Sequence, residues 1–253
     1  MEWRDTGTVI GVRPHGETAV VLELMTADHG RHSGLVHGGR SRRRQPVLQL
    51  GNVVEAQWRG RLDEHLGVFT IEPKHLRAGT LMGSALALYG TQAAAWLLRH
   101  LPEREAHGAL AAGLDVLLDS MGDAAVASAL MVRFEAQVLH ELGYGLDITR
   151  CAVTGETEHL THVSPRTGRA VGEAAAAPYR DRLLELPDFL RPDRRPGDNR
   201  VGSAEDLASG FALTGHFIDR YRREMSLPPV PEGAIDPRAA FIDAAKRAMA
   251  TPA

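Results

Sequence analysis

The sequence predicts an α+β protein, with a small closed or partly closed β-barrel at the amino end and a mostly helical remainder interrupted by one hairpin. Three observations carry this reading. Five short β-rich segments fall within residues 1–75, the composition switches after Pro73 to Ala and Leu at helical spacing, and that spacing breaks over residues 150–180.

Residues 8–12 (TVIGV), 18–26 (TAVVLELMT), 32–37 (HSGLVH), 53–59 (VVEAQWR) and 66–72 (LGVFTIE) are rich in β-branched and apolar residues. Between them RPHGE, ADHGR, GGRSRRRQP and GRLDEH carry Gly, Pro or Asp punctuation. The third connection is the longest. Gly38 and Gly39 free its backbone and Pro46 lacks the N–H that a ladder needs, so it reads as a flexible loop.

Past Pro73, residues 81–101, 103–120 and 123–142 place apolar side chains near i, i+3, i+4 and i+7, and these three helices are expected to pack on one another. Asp123 is placed to cap the third, and Gly143 suits its carboxy-terminal end. Residues 160–164 and 169–172 form a hairpin across 165–168. Helical spacing returns at 181–190, 204–225 and 237–249, with PDRRPGDNR and LPPVPEG as loops, and there is no internal repeat. The expected organisation is a barrel over 1–78, a first helical part over 79–148, a hairpin segment over 149–180, and carboxy-terminal helices over 181–253 that pack on the helical part.

A chain of 253 residues with a 43% hydrophobic share can bury a core. It has no uncharged apolar run of about 18 residues. MEWRDTGTVI lacks the basic-then-apolar order of a signal peptide. The expectation is a cytoplasmic protein without a membrane span. Cys151 is the only cysteine, which excludes an intramolecular disulfide and fits a reducing compartment.

GxxxxGK[ST], HExxH, GxSxG and CxxC are absent, and no GxGxxG follows a strand, so no enzyme and no catalytic residue is expected. Cys151, His159 and His162 give C-x7-H-x2-H, which matches no zinc spacing and supplies three ligands where a structural site takes four, so neither metal nor cofactor is expected. His15 with Glu17, and His140 with Glu141, read as ordinary polar residues of a turn and a helix end.

Charge is the informative feature. Only Lys74 and Lys246 among 29 basic residues are lysines, a bias that a GC-rich genome would produce. Position argues otherwise. From Arg31 to Arg61 there are seven arginines and one acid, Glu55, whereas residues 78–253 hold 18 basic and 23 acidic residues in a chain of net charge -3. Such polarity points to a polyanionic partner. Arg31, Arg40, Arg42, Arg43, Arg44, Arg59 and Arg61 are the candidate phosphate contacts, since a guanidinium fork meets a phosphate through two donors. Trp58 is a candidate for stacking on a base; the other reading, that it fills the barrel core, stands beside it.

These features in this order resemble the bacterial DNA repair protein RecO family. GTVIGVRPHGETAVVLELMTADHGRHSGLVHGGRSRRR looks like the family's amino-terminal pattern of strand, Gly-Glu turn, strand ending in Leu-or-Met-Thr, His-Gly turn, and strand leading into a Gly-Arg-rich loop. VRFEAQVLHELGYGLDITRCAVTG looks like its helix end and following knuckle, and VSPRTGRAV with PYRDRLLELPDFL has the form of α-proteobacterial members. The resemblance implies an amino-terminal oligonucleotide-binding (OB) fold, a helical domain and a zinc-finger-like segment. It implies a non-enzymatic mediator of the RecF pathway that binds single- and double-stranded DNA, anneals complementary strands, associates with RecR, contacts the acidic tail of single-stranded DNA-binding protein, and helps load RecA. The place implied is the cytoplasm, at the nucleoid during repair.

Zinc-binding members carry CxxC at the knuckle and a second cysteine pair; here Thr154 takes the second position and no cysteine follows, so the segment is expected to be metal-free. Arg133 is a candidate for the acidic tail only by its sign. The competing reading is an adaptor of the repair machinery with little DNA binding of its own. A nuclease is a third reading, which no carboxylate cluster supports.

Overall fold

The computed structural model describes residues 1–62, 64–192 and 201–250. The loop expected at 192–200 lies outside them from residue 193 onward. In chain order the elements are β1 Glu2–His15, β2 Ala19–Thr26, β3 Gly30–Val36, β4 Val53–Arg59, β5 Val68–His75, α1 Ala78–Leu81, α2 Ala85–Leu98, α3 Gly108–Asp119 and α4 Ala124–Glu141. There follow β6 Leu160–Val163, β7 Ala170–Gly172, α5 Glu173–Ala176, β8 Leu184–Glu185, α6 Ala204–Glu224 and α7 Pro237–Ala250. The protein is α+β, as read from the sequence. It divides into one unit of Met1–Gly122 with Pro237–Ala248 and another of Asp123–Asp236. No helix among the described residues is long and apolar enough to cross a membrane.

The first unit is built on a five-stranded barrel of strand order β1-β2-β3-β5-β4, the OB-type order. Its closure depends on β1, which is longer than the segment 8–12 expected from composition. Residues from Glu2 to Thr8 pair with β4 and those from Gly7 to His15 pair with β2, with a bulge between Val9 and Gly11 that lets one strand turn from one neighbour to the other. The far seam is a single parallel pair, Leu35 with Val68. Period-two alternation sends Val20, Leu22 and Leu24 of β2, and Val54, Ala56 and Trp58 of β4, into one core with Val9, Val36, Leu48 and Phe69.

Two expected helices are shorter than predicted. Ser84 caps α2 by accepting the Ala87 N–H at 3.1 Å, so the helix starts there rather than at 81. Residues 99–107 are not helical because they are used against β3: Arg104 N–H donates to Arg31 O at 2.8 Å and Ser33 Oγ donates to Glu103 Oε1 at 2.9 Å. Gly30 permits the approach, since a Cβ there would lie 1.6 Å from Glu105 O.

In the second unit Asp123 Oδ1 accepts from the N–H groups of Ala125 and Val126 and caps α4. At the other end Gly143 adopts φ +83°, with Gly143 N–H donating to His140 O and Tyr144 N–H to Leu139 O, the paired closure of a glycine-terminated helix. The helix α4 packs on α6 at Gly210, whose missing Cβ would sit 3.1 Å from Val132 Cγ1. The hairpin β6–β7 forms as expected. The helix expected over 181–190 does not. Pro187 supplies no N–H and, by its ring, holds Leu186 away from helical geometry, so Leu184–Glu185 pairs with β6 as a third strand, flanked by two short 3-10 turns.

Candidate nucleic-acid interface

The connection from β3 to β4, residues 37–52, is a chain of hydrogen-bonded turns, which corrects the expectation of a flexible loop. Gly38 is at φ +64°, and Gly39 lies so close to the barrel that a Cβ would meet Val20 Cγ2 at 2.5 Å. The glycines therefore fix the path of the backbone. Past them, Arg44 N–H donates to Ser41 O and Leu48 N–H to Arg44 O, and Leu48 is buried in the barrel core. Asn52, fully buried, fastens the far end: its Nδ2 donates to Pro46 O at 2.8 Å and Val47 O at 3.0 Å, while its Oδ1 accepts from Ala78 N–H at 2.9 Å. Sequence reading passed over Asn52, because one amide side chain gives no periodic signal.

This scaffold presents Arg40, Arg42 and Arg43 to solvent and leaves Arg44 half-buried. Arg40 docks on the β1–β2 turn, its N–H donating to Thr18 O at 3.0 Å and its Nη1 to Gly16 O at 3.1 Å. That contact brings exposed Arg13 to the same end of the barrel, a residue omitted from the sequence candidates because it stands alone in the chain. Among the described residues none of Arg13, Arg40, Arg42, Arg43 and Arg44 has a carboxylate within ion-pair distance. The only acid in that β1–β2 turn is Glu17.

The remaining candidates lie elsewhere. Arg59 and Arg61 are at the opposite end of β4, about 20 Å from Val53 at 3.3 Å per residue. Arg61 is exposed. Arg59 is 67% exposed and pairs with Glu2, Nε to Oε2 at 2.9 Å, and its hydrogen bond holds the Glu2 carboxyl below the usual range. A pair this exposed is weak and screened by salt, so a phosphate can compete for Arg59.

Arg31 is corrected as a candidate, and for Trp58 the core-filling alternative is the one observed. The side chain of Arg31 is only 15% exposed and is consumed by Glu23 Oε1 at 2.9 Å, Glu103 Oε1 at 3.4 Å and Leu101 O at 3.0 Å. It ties β3 to residues 101–103 and presents no free fork. Trp58 fills the barrel core, with no solvent exposure; its Nε1 donates to Leu66 O at 3.0 Å, and Gly60 and Gly67 press on its ring where any Cβ would lie 2.3–2.4 Å away. It offers no face to a base.

In the second unit the knuckle closes around Cys151 without a second thiol. Its sulfur accepts from the N–H groups of Gly172 at 3.2 Å and of Val153 and Thr154 at 3.5 Å. Burial pushes the thiol up, and the hydrogen bonds from Thr154 and from backbone N–H groups outweigh it, leaving the pKa at about 7. No group of three or more metal-ligating side chains occurs among the described residues.

Comparison with known proteins gives two adjoining matches. The family model described as "Recombination protein O N terminal" covers residues 1–76, and "Recombination protein O C terminal" covers residues 83–227. A protein named DNA repair protein RecO from Methylobacterium nodulans is 58% identical over 221 residues, spanning 87% of this chain and 90% of that one. One of the same name from Methylorubrum extorquens is 54% identical over 222 residues with the same shares. Another from Rhodopseudomonas palustris is 49% identical over 253 residues, spanning 100% of this chain and 99% of its own.

Proposed function

The chain belongs to the recombination protein O family of DNA repair and recombination, and from that premise we propose that the arginine turn of its barrel binds DNA. The observation that supports this is the set of Arg13, Arg40, Arg42, Arg43 and Arg44 at one end of the barrel, with no carboxylate paired to any of them among the described residues. Each phosphate they neutralise releases condensed counterions, which makes binding salt-dependent and nearly indifferent to sequence. Both single and double strands satisfy that requirement. Cations between two strands offset the repulsion between them, and this is the physical basis for annealing without bond chemistry.

In this reading the protein is a mediator, not an enzyme, acting in the cytoplasm at the nucleoid. It works with RecR and helps load RecA onto single strands covered by single-stranded DNA-binding protein. The acidic tail of that protein would dock on the second unit, in a cleft of about 200 Å³ lined by Arg133, Leu146, Ile148 and Leu190, where Arg133 Nη2 also donates to Phe189 O at 2.9 Å. A cation for a carboxylate next to an apolar floor suits an acidic peptide with apolar residues.

Strand annealing is the test. The full chain, mixed with complementary labelled oligonucleotides, is expected to speed duplex formation both with naked strands and with strands covered by single-stranded DNA-binding protein. An unaccelerated rate, together with no binding of labelled single strands at low salt, would leave an adaptor of the repair machinery in its place.

A further inference from the structure

We propose that the cleft at the Arg59 end of the barrel is a stacking subsite for one unpaired nucleobase, with the His29 ring as its platform. The proposal rests on the DNA-binding reading above and adds a second contact, of different chemistry, at the opposite end of β4.

Three nearly parallel rings lead from the core to this cleft. Trp3 and Trp58 are register partners on β1 and β4, with ring centres 6.0 Å apart and planes 15° apart. Trp3 then stacks on His29 at 4.1 Å and 11°. Trp58 is fully buried, while Trp3 is half-buried and the His29 side chain is 31% exposed. Phe69 meets Trp3 edge-on at 5.7 Å and holds its tilt. The His29 ring is held as well, with Nδ1 3.3 Å from Asp5 Oδ2 and its backbone N–H donating to Thr26 Oγ1 at 3.1 Å. Trp3 covers one face of the imidazole, and the ring lines an open cleft of about 630 Å³ together with Glu2, Asp28 and Arg104.

The cleft carries acceptors as well as cations: Asp28 and Glu2, the latter paired with Arg59, line it beside Arg104, and a carboxylate there can accept a hydrogen bond from an exocyclic amino group, as adenine, cytosine and guanine carry. The imidazole adds a π-face, to which any base can stack. A base inside a duplex has both faces covered by its neighbours, so the subsite takes single strands only. The volume is within the range of small-ligand sites.

The test uses the full chain, a (dA) oligonucleotide with one 2-aminopurine, its abasic counterpart, and a duplex. The wild-type protein should quench the 2-aminopurine and bind the base-bearing strand at least about fivefold more tightly than the abasic one, the low end of what one stacked base contributes. His29→Ala should abolish the preference, His29→Phe should retain it, and neither should alter affinity for duplex. An intact preference in His29→Ala would overturn the subsite, and if Arg42→Ala with Arg43→Ala weakened binding in the same experiment, the phosphate-binding reading would survive alone. Absence of any DNA binding by the wild-type chain would remove both.

Discussion

On the barrel's strands Arg59 meets Glu2, Arg4 meets Glu55, and Arg31 meets Glu23 and Glu103; on the turn at 37–52, Arg40, Arg42, Arg43 and Arg44 meet no carboxylate among the described residues. The residue type is the same in both regions and the register makes the difference. Glu2 is the direct cross-strand partner of Arg59, while Glu23 stands diagonal to Arg31 and Glu55 diagonal to Arg4. Such neighbours are within reach of long side chains. On the turn the neighbours are Gly, Ser, Gln and Pro, and the hydrogen bonds that shape it run through backbone and amide groups. A strand arginine paired with an acid therefore contributes to the fold, whereas Arg13 at the end of β1 and the turn arginines, with no carboxylate at ion-pair distance among the described residues, remain available to a ligand.

The largest consequence concerns Arg77, the most buried arginine of the barrel unit. At 6% exposure it donates to Gly51 O at 2.7 Å and Asp119 Oδ1 at 2.8 Å, and pairs with Asp115, which Thr8 Oγ1 also reaches. Arg77→Met should lower stability by about 2 kcal/mol, because the buried Gly51 carbonyl loses its donor, while Asp115 and Asp119, 48% and 59% exposed, regain water. Urea unfolding followed by tryptophan fluorescence measures this. A loss under about 0.5 kcal/mol would show that pairing on the barrel is incidental.

A smaller effect extends the comparison to the knuckle, where Cys151 is also defined by its partners. Its folded pKa, about 7, is depressed from the ordinary thiol value of 9.0. A depressed acid contributes stability that is complete above the unfolded value and lost as pH falls through the folded one. Stability should therefore rise from pH 7 to 9, by at most about 1.4 kcal/mol per pH unit for one thiol. Cys151→Ala should flatten that slope in denaturant titrations across the window, and an unchanged slope would refute the thiolate.

The same logic explains what the sequence made legible. β2 is an apolar run interrupted only at Glu23 and β4 alternates from Val54 to Arg59, so both could be read, as could the caps at Asp123 and Gly143, whose signals are local. The first half of β1 could not, since Glu2-Trp3-Arg4-Asp5 gains its strand character only from β4. Leu184–Glu185 was hidden for a similar reason: two residues carry no period, and β6 makes them a strand. For the site, the basic turn was visible as a charge run, but the removal of Arg31 and Trp58 from it depends on Glu103, Leu101 and Leu66, between 8 and 72 residues away in the chain. Arg13 entered only through the contact of Arg40 with Gly16.

The salt dependence of single-strand binding tests the contrast between turn and strand most directly. Replacing Arg42, Arg43 and Arg44 together by Ala should weaken binding and reduce the slope of log K against log salt by up to about 2, at 0.7 per lost contact on a single strand. Arg31→Ala, measured on folded protein, should leave the slope as in the wild type. A triple variant with wild-type affinity and slope, or an Arg31→Ala slope reduced as much as the triple's, would contradict the account.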